Sequence, residues 1–220
     1  MLSVALISQK GGAGKTTCAV ALAVAHELAG GRAVVVDLDP QGSASVWGDL
    51  READRPVVVA AQAPRLQRVL DAARGNGADL AVIDTAPHAS HDALAAARVA
   101  DLVLVPCRCS VADLHAIGAT LDICGIAGVV ASRSAAGALR THVVLNAVPI
   151  RGQLAAQAQR AMAERGATVA PVLLHQRIAH VHAFTAGRTA QELEPGSKAA
   201  AELAALYRWT MEEPKHEQER

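Results

Sequence analysis

The chain is 220 residues long, 51% apolar and only 2% aromatic, and its 21 lysines and arginines are matched by 21 aspartates and glutamates. That length supports a sizeable core. The even charge excludes a global positive field that would draw in nucleic acid, so any DNA contact has to come from a local, salt-sensitive patch.

In chain order, short runs rich in valine, isoleucine and leucine alternate with longer alanine-rich stretches. The runs Ser3–Ser8, Ala33–Asp39, Val57–Ala60, Leu80–Thr85, Leu102–Cys107, His142–Val148 and Val169–Leu174 are predicted strands. Several lack polar alternation, as strands covered on both faces of a parallel sheet do. Helical spacing predicts helices near 15–29, 43–53, 64–74, 89–99, 110–123, 152–165, 176–186 and 197–212. The alternation describes an α/β doubly wound, mainly parallel sheet with helices on both faces, whose ligands sit beyond the carboxyl ends of the strands. Residues 1–212 are expected to form a single domain, with 213–220 a polar tail that has no apolar face for a membrane. No apolar run is long enough to span a bilayer, and Met1–Ile7 has no basic n-region, so neither a membrane span nor a signal peptide is expected. Cys18, Cys107, Cys109 and Cys124 contain no C-x-x-C pair and read as structural thiols of a reduced, cytoplasmic protein.

The chemistry begins directly after the first run, at Lys10-Gly11-Gly12-Ala13-Gly14-Lys15-Thr16-Thr17. A phosphate-binding loop reads G-x-x-x-x-G-K-[ST], with backbone N–H groups and one lysine wrapping a nucleotide's phosphates. Here Gln9 stands at the first glycine's place and a second lysine, Lys10, follows it. Lys15 is placed to reach the β- and γ-phosphates, Thr16 to bind Mg²⁺ and Thr17 to donate to the α-phosphate. Two lysines exceed what one triphosphate with its magnesium needs, which suggests that Lys10 serves a phosphate elsewhere, a second subunit being one place for it.

Two further strand ends carry carboxylates. In Asp37-Leu38-Asp39-Pro40-Gln41-Gly42 one aspartate can orient water on magnesium and the other the water that attacks the γ-phosphate. Leu80-Ala81-Val82-Ile83-Asp84-Thr85-Ala86-Pro87 has the form of a Walker B strand, with Asp84 supporting the magnesium shell and Thr85–Pro87 a candidate switch.

On KGGAGKTT (Lys10–Thr17), DLDPQGSAS (Asp37–Ser45) and IDTAP (Ile83–Pro87), the chain resembles the ParA/MinD family of deviant-Walker P-loop ATPases. The resemblance implies ATP and Mg²⁺ as cofactors, slow basal hydrolysis and an ATP-sandwich homodimer in which Lys10 acts on the partner's nucleotide. It implies that Asp39, with Lys10 and Lys15, is catalytic, and that Thr16, Asp39 and Asp84 serve the metal. It also implies that Asn146, on Val143–Gly152, contacts adenine and that His175-Gln176-Arg177 closes over the base.

Within the family, the tail lacks a MinD-type amphipathic helix, the cysteines lack the spacing of iron–sulfur carriers, and residue 10 leaves no room for an N-terminal helix-turn-helix. The remaining resemblance is to small ParA proteins. It implies plasmid or chromosome partition, with a ParB-type adaptor stimulating hydrolysis and the ATP dimer holding non-specific DNA on the nucleoid. Arg177, Arg188, Lys198 and Arg208 are the candidate DNA contacts, with Arg151 and Arg160 beside them; phosphate contacts require only basic residues on one face. A ParA-like ATPase positioning protein cargo, or acting in conjugative transfer, uses the same machinery. An ATP-dependent ligase of the dethiobiotin or cobyrinate synthase type is the alternative from another class. His175, His180 and His182 read as ordinary histidines before a metal cluster, and Trp47 and Trp209 as packing residues.

Overall fold

The computed structural model describes residues 1–133 and 140–213. Six strands form one all-parallel sheet: β1 (Leu2–Leu6), β2 (Ala33–Asp37), β3 (Val57–Ala60), β4 (Leu80–Asp84), β5 (Leu102–Arg108) and β6 (Arg140–Asn146). Their order is β3-β2-β4-β1-β5-β6. The described helices are α1 (Lys15–Leu28), α2 (Ser43–Asp49), α3 (Leu66–Gly75), α4 (Ser90–Val99), α5 (Val111–Arg133), α6 (Leu154–Ala163), α7 (Ile178–Thr185), α8 (Ala190–Leu193) and α9 (Lys198–Glu212).

The apolar strands are buried on both faces, and the two-residue period of a strand decides which core each side chain enters. Val4, Leu6, Val35 and Val82 face the layer built from α1, α2, α7, α8 and α9. Ala5, Ile7, Val34, Val36, Ala81 and Ile83 face the layer of α3, α4, α5 and α6. Each fully buried valine or leucine contributes about 1.5–3 kcal/mol of transfer free energy, and this double burial anchors the sheet. In α1 the run Cys18–His26 is buried throughout, because alanines at every second position let the helix lie close to the strands. His26 near its end bonds Tyr207 of α9 at 3.0 Å and Asp79 at 2.6 Å, joining both helices to the start of β4. All four cysteines are free and buried. Trp47 is fully buried and Trp209 stacks edge-on against His142, as packing residues do.

Three expectations are corrected. Val169–Leu174 is no strand: it makes only the bridges Val143–Val169 and, just beyond it, Val148–His175. Ala170 N donates to Val143 O and Leu174 N to Leu145 O, so four residues span a distance that takes two on β6. Pro171, which has no N–H, falls in that gap, and the chain loops out instead of pairing. The fifth helix runs on through Gly125 to Arg133 rather than ending at 123. The short α8 was not anticipated, although Thr189-x-x-Glu192 forms a complete capping box at its start. Of the expected polar tail only Glu213 is described, paired with His142 at 2.9 Å; residues 214–220 lie outside the described residues.

Candidate active site

The three carboxyl ends that carry chemistry are neighbours in the sheet. Register aligns Leu6 with Asp84 and Asp84 with Asp37 across β1, β4 and β2. Adjacent strands lie about 4.8 Å apart, so the phosphate loop and both acidic motifs emerge side by side.

The loop leads straight into α1, whose first turn is Lys15-Thr16-Thr17-Cys18. Gly14 precedes it with φ 96°, a left-handed conformation that favours glycine. A second constraint acts here: a Cβ on Gly14 would stand 2.0 Å from the Asn146 amide nitrogen. Asn146 Nδ2 donates to the Ala13 carbonyl at 2.7 Å. The structure therefore brings Asn146 to the loop, where it braces the backbone that is to hold the phosphates.

The two lysines have opposite environments. Lys15 is buried and its Nζ donates to the Ser8 carbonyl at 3.2 Å, which folds the side chain back across the loop. Burial pushes its ammonium below the ordinary lysine range, while Asp84 and Asp39 pull it up. Lys10 is exposed, and among the described residues its ammonium has no hydrogen-bond or ion-pair partner. Gly11 and Gly12 are exposed beside it. With Gly14, Thr16, Thr17, Asp39, Ser43 and Pro87 they border a recess of about 450 Å³ that α7 closes with His180 and Phe184.

The acidic residues divide the work. Asp37 is a structural group: its Oδ1 accepts from Asp39 N at 3.0 Å, and its Oδ2 accepts from Ser45 N and Ser45 Oγ at 2.9 Å each. Those bonds fix the start of α2 and leave Asp39 to face the recess, its Oδ1 accepting from Gln41 N at 2.9 Å. On its far side Asp39 borders a second, wider recess of about 910 Å³ with Gln62, Arg65 and Asp92. Asp84 is fully buried, and among the described residues neither carboxylate oxygen has a hydrogen-bond partner. Burial is the main cause that pushes its carboxyl up to about 7; the nearby Thr16 hydroxyl lowers it, Asp37 raises it, Lys15 lowers it and Asp39 raises it.

A buried, unsatisfied carboxylate costs several kcal/mol unless something binds it. A hard divalent cation with its waters, set between Asp84 and the Thr16 hydroxyl, is the kind of group that satisfies it. The donor set therefore fits magnesium. Thr85, expected as part of a switch, donates its buried hydroxyl to Leu6 O at 2.8 Å and ties β4 to β1 instead.

The loop His175-Gln176-Arg177, expected to close over the base, is anchored by Glu202 of α9. That carboxylate accepts from His175 N at 3.0 Å, bonds His175 Nδ1 at 2.9 Å and pairs with Arg177 Nη2 at 2.5 Å. Arg177 is thus corrected as a DNA candidate: its half-buried guanidinium is held by Glu202 and does not stand free for phosphate. Arg188, Lys198 and Arg208 are exposed. Arg188 Nη2 donates to the Glu192 carbonyl at 3.2 Å, while Lys198 begins α9 and Arg208 lies near its end. A contact that sequence reasoning missed places Arg188: Trp47 Nε1 donates to its carbonyl at 3.1 Å, and Arg51 stacks 5.0 Å over the Trp47 ring while pairing with Glu192 at 2.6 Å.

Comparison with known proteins shows the family and the fold. The domain described as CobQ/CobB/MinD/ParA nucleotide binding domain matches residues 4–183. The maintenance of carboxysome distribution protein A of Gloeobacter kilaueensis is 35% identical over 212 residues, which are 96% of this chain and 92% of that protein. The chromosome-partitioning ATPase Soj of Thermus thermophilus is 30% identical over 148 residues, 54% of this chain and 59% of Soj. In fold, the chain is similar to the cobyrinic acid a,c-diamide synthase of Mycobacterium smegmatis solved with an ATP analog and magnesium, with TM-score 0.75 and 18% identity. That likeness covers 98% of this chain and 96% of the synthase. The chain belongs to the CobQ/CobB/MinD/ParA nucleotide-binding family and is an ATPase of the ParA/MinD type.

Proposed function

We propose that this protein is an ATP-driven positioning ATPase: ATP and Mg²⁺ close two copies into a sandwich, the dimer holds DNA, and an adaptor on the cargo triggers hydrolysis and release. The observation that carries the proposal is the contrast between the two loop lysines. Lys15 is bonded inside its own loop, while Lys10 is exposed next to Gly11 and Gly12, which border the recess, and among the described residues its ammonium has no partner, leaving its charge for a phosphate beyond its own chain. Asp84 and Thr16 would hold magnesium with its waters, and the ion when bound would supply charge neutralisation on the phosphates. Lys15 binds the β- and γ-phosphates, Asn146 keeps the loop backbone in place, and Asp39 positions the hydrolytic water at the open side of the site. Closing the dimer excludes bulk water and completes the charge around the transferred phosphoryl group.

The cargo is best read as a protein assembly, because the relative aligned along nearly the whole chain distributes carboxysomes. Partition of DNA through a ParB-type adaptor is the second reading, favoured by the likeness to Soj. In both, Arg188, Lys198 and Arg208 supply the DNA contacts, and binding weakens with salt.

Three measurements test this together. Lys10→Ala should bind ATP but stay monomeric in size-exclusion light scattering. Asp39→Ala should accumulate as an ATP-bound dimer that turns over at least tenfold more slowly. Arg188→Glu should lose ATP-dependent DNA retardation while still dimerising. A Lys10→Ala protein that dimerises and hydrolyses like the wild type would refute the sandwich reading. Pulling down what binds the ATP-bound protein, tagging that adaptor and imaging what it carries separates protein cargo from DNA.

A further inference from the structure

At the opposite edge of the sheet, near the amino ends of β2 and β3, lies a cavity of about 410 Å³ that the nucleotide chemistry does not use. It exists because the layer there is thin. The helix above it is only ten residues long and turns Ala72 and Ala73 towards Val57, Val59 and Val34. Small side chains facing valines across a helix–sheet gap leave space that neither layer fills. β3 is the edge strand, and Val57 remains 50% exposed, so the apolar wall runs out to solvent.

The mouth is basic. Arg32 and Arg55 both border it. Neither guanidinium is in an ion pair among the described residues. The Arg32 Nη1 lies over Gly77, where an added Cβ would meet it at 3.3 Å. The one acid on the rim, Glu27, is turned to the protein: its carboxylate accepts from Ala33 N at 2.7 Å. An apolar cleft of a few hundred Å³ with a small number of converging polar groups is the usual form of a small-molecule site. Arg32 and Arg55 in its lining suit an anion, because planar guanidinium donors pair well with a carboxylate.

We propose that this cavity binds a small amphiphilic carboxylate, its alkyl or aryl body between β3 and α3 and its acid group between Arg32 and Arg55. The site stands about one strand length from the phosphate loop, so it is separate from the nucleotide recess.

The test uses the full chain in ¹⁵N-labelled form, titrated with decanoate below its micelle concentration, with decanol as the uncharged control and MgADP saturating the nucleotide recess. Sub-millimolar decanoate binding is expected, with amide shifts centred on Val57, Val59, Val69 and Gly77. Decanol should bind about tenfold more weakly, and the double variant Arg32→Ala/Arg55→Ala should lose about tenfold in decanoate affinity. Ala73→Leu, which fills the cavity without touching the arginines, should abolish binding and leave the fold unchanged. Equal affinity for decanol and decanoate, shifts outside this group of residues, or binding that survives Ala73→Leu would each overturn the proposal. Anionic vesicles form a further arm: cosedimentation lost in Ala73→Leu supports the same cavity with a lipid as the source, and cosedimentation that persists in it overturns the lipid source.

Discussion

Replacing Gly14 by alanine tests the local architecture of the phosphate loop. At φ 96° an L-residue pays about 1–2 kcal/mol for the left-handed backbone. The new Cβ also meets Asn146 Nδ2 at 2.0 Å, so the asparagine must swing away and lose its 2.7 Å bond to Ala13 O, about 1 kcal/mol more. The expected total is about 2–3 kcal/mol, which lowers the melting temperature of a chain this size by roughly 5–10 °C. Far-ultraviolet circular dichroism melts without nucleotide read that change. The reasoning is sharpest in a double-mutant cycle with Asn146→Ala. The single Asn146→Ala change should cost about 1 kcal/mol. In its background the alanine at 14 should pay only for backbone strain, so the double variant should be about 1 kcal/mol more stable than the two single changes predict. Strict additivity, or a Gly14→Ala protein as stable as the wild type, would refute the claim that Asn146 braces the loop.

Asp84 should give a pH signature in nucleotide-free protein with EDTA. Its carboxyl titrates near 7 when folded, against 3.8 unfolded. The folded state therefore keeps a proton that the unfolded state releases, and this group's contribution is full below about pH 4 and lost as pH rises to 7, by at most about 4 kcal/mol. Asp84→Asn should thus gain on the wild type in melting temperature between pH 4 and 7 while losing magnesium-dependent stabilisation by ATP; a constant difference across that range would contradict the burial argument. Arg51→Ala removes a nearly buried ion pair with Glu192 and a cation–π contact with Trp47, and should cost about 3 kcal/mol in urea unfolding. A loss below about 1 kcal/mol would mean the pair adds little to the α2 contact. Glu202→Ala frees both His175 and Arg177 and should raise the KM for ATP several-fold with a smaller change in kcat, as steady-state kinetics would show; an unchanged KM would detach that loop from base binding.

What could be read from the sequence follows from how local the information is. Strands such as Val34–Val36 and Leu80–Ile83 are legible because double burial demands uninterrupted apolar residues. The phosphate loop is legible because its chemistry needs fixed residue types within eight contiguous positions, Lys10–Thr17. The loop-out at Pro171 was readable in principle, since a proline inside an apolar run argues against a strand. Pairings across the chain were not: Asn146 with Ala13 and Trp47 with Arg188 join residues more than 130 positions apart. The same limit misled the DNA assignment. Arg177 looks like any surface arginine until α9 brings Glu202 against it.

The buried thiols give the molecule an internal clock. Burial pushes Cys18 and Cys107 up to about 12 and Cys124 up to about 11, so none carries appreciable thiolate near neutral pH in the native state. An alkylating reagent can therefore modify these sulfurs only when the surrounding structure opens, and the labelling rate at each cysteine reports a local opening free energy. Cys18 lies in the first turn of α1, immediately after the loop residues that are to grip the phosphates, whereas Cys124 lies on α5 in the opposite layer. The chain thus carries its own paired probe and control. Nucleotide should slow modification of Cys18 far more than that of Cys124, and the ratio of the two rates would measure how tightly the loop is held, without any label being engineered in.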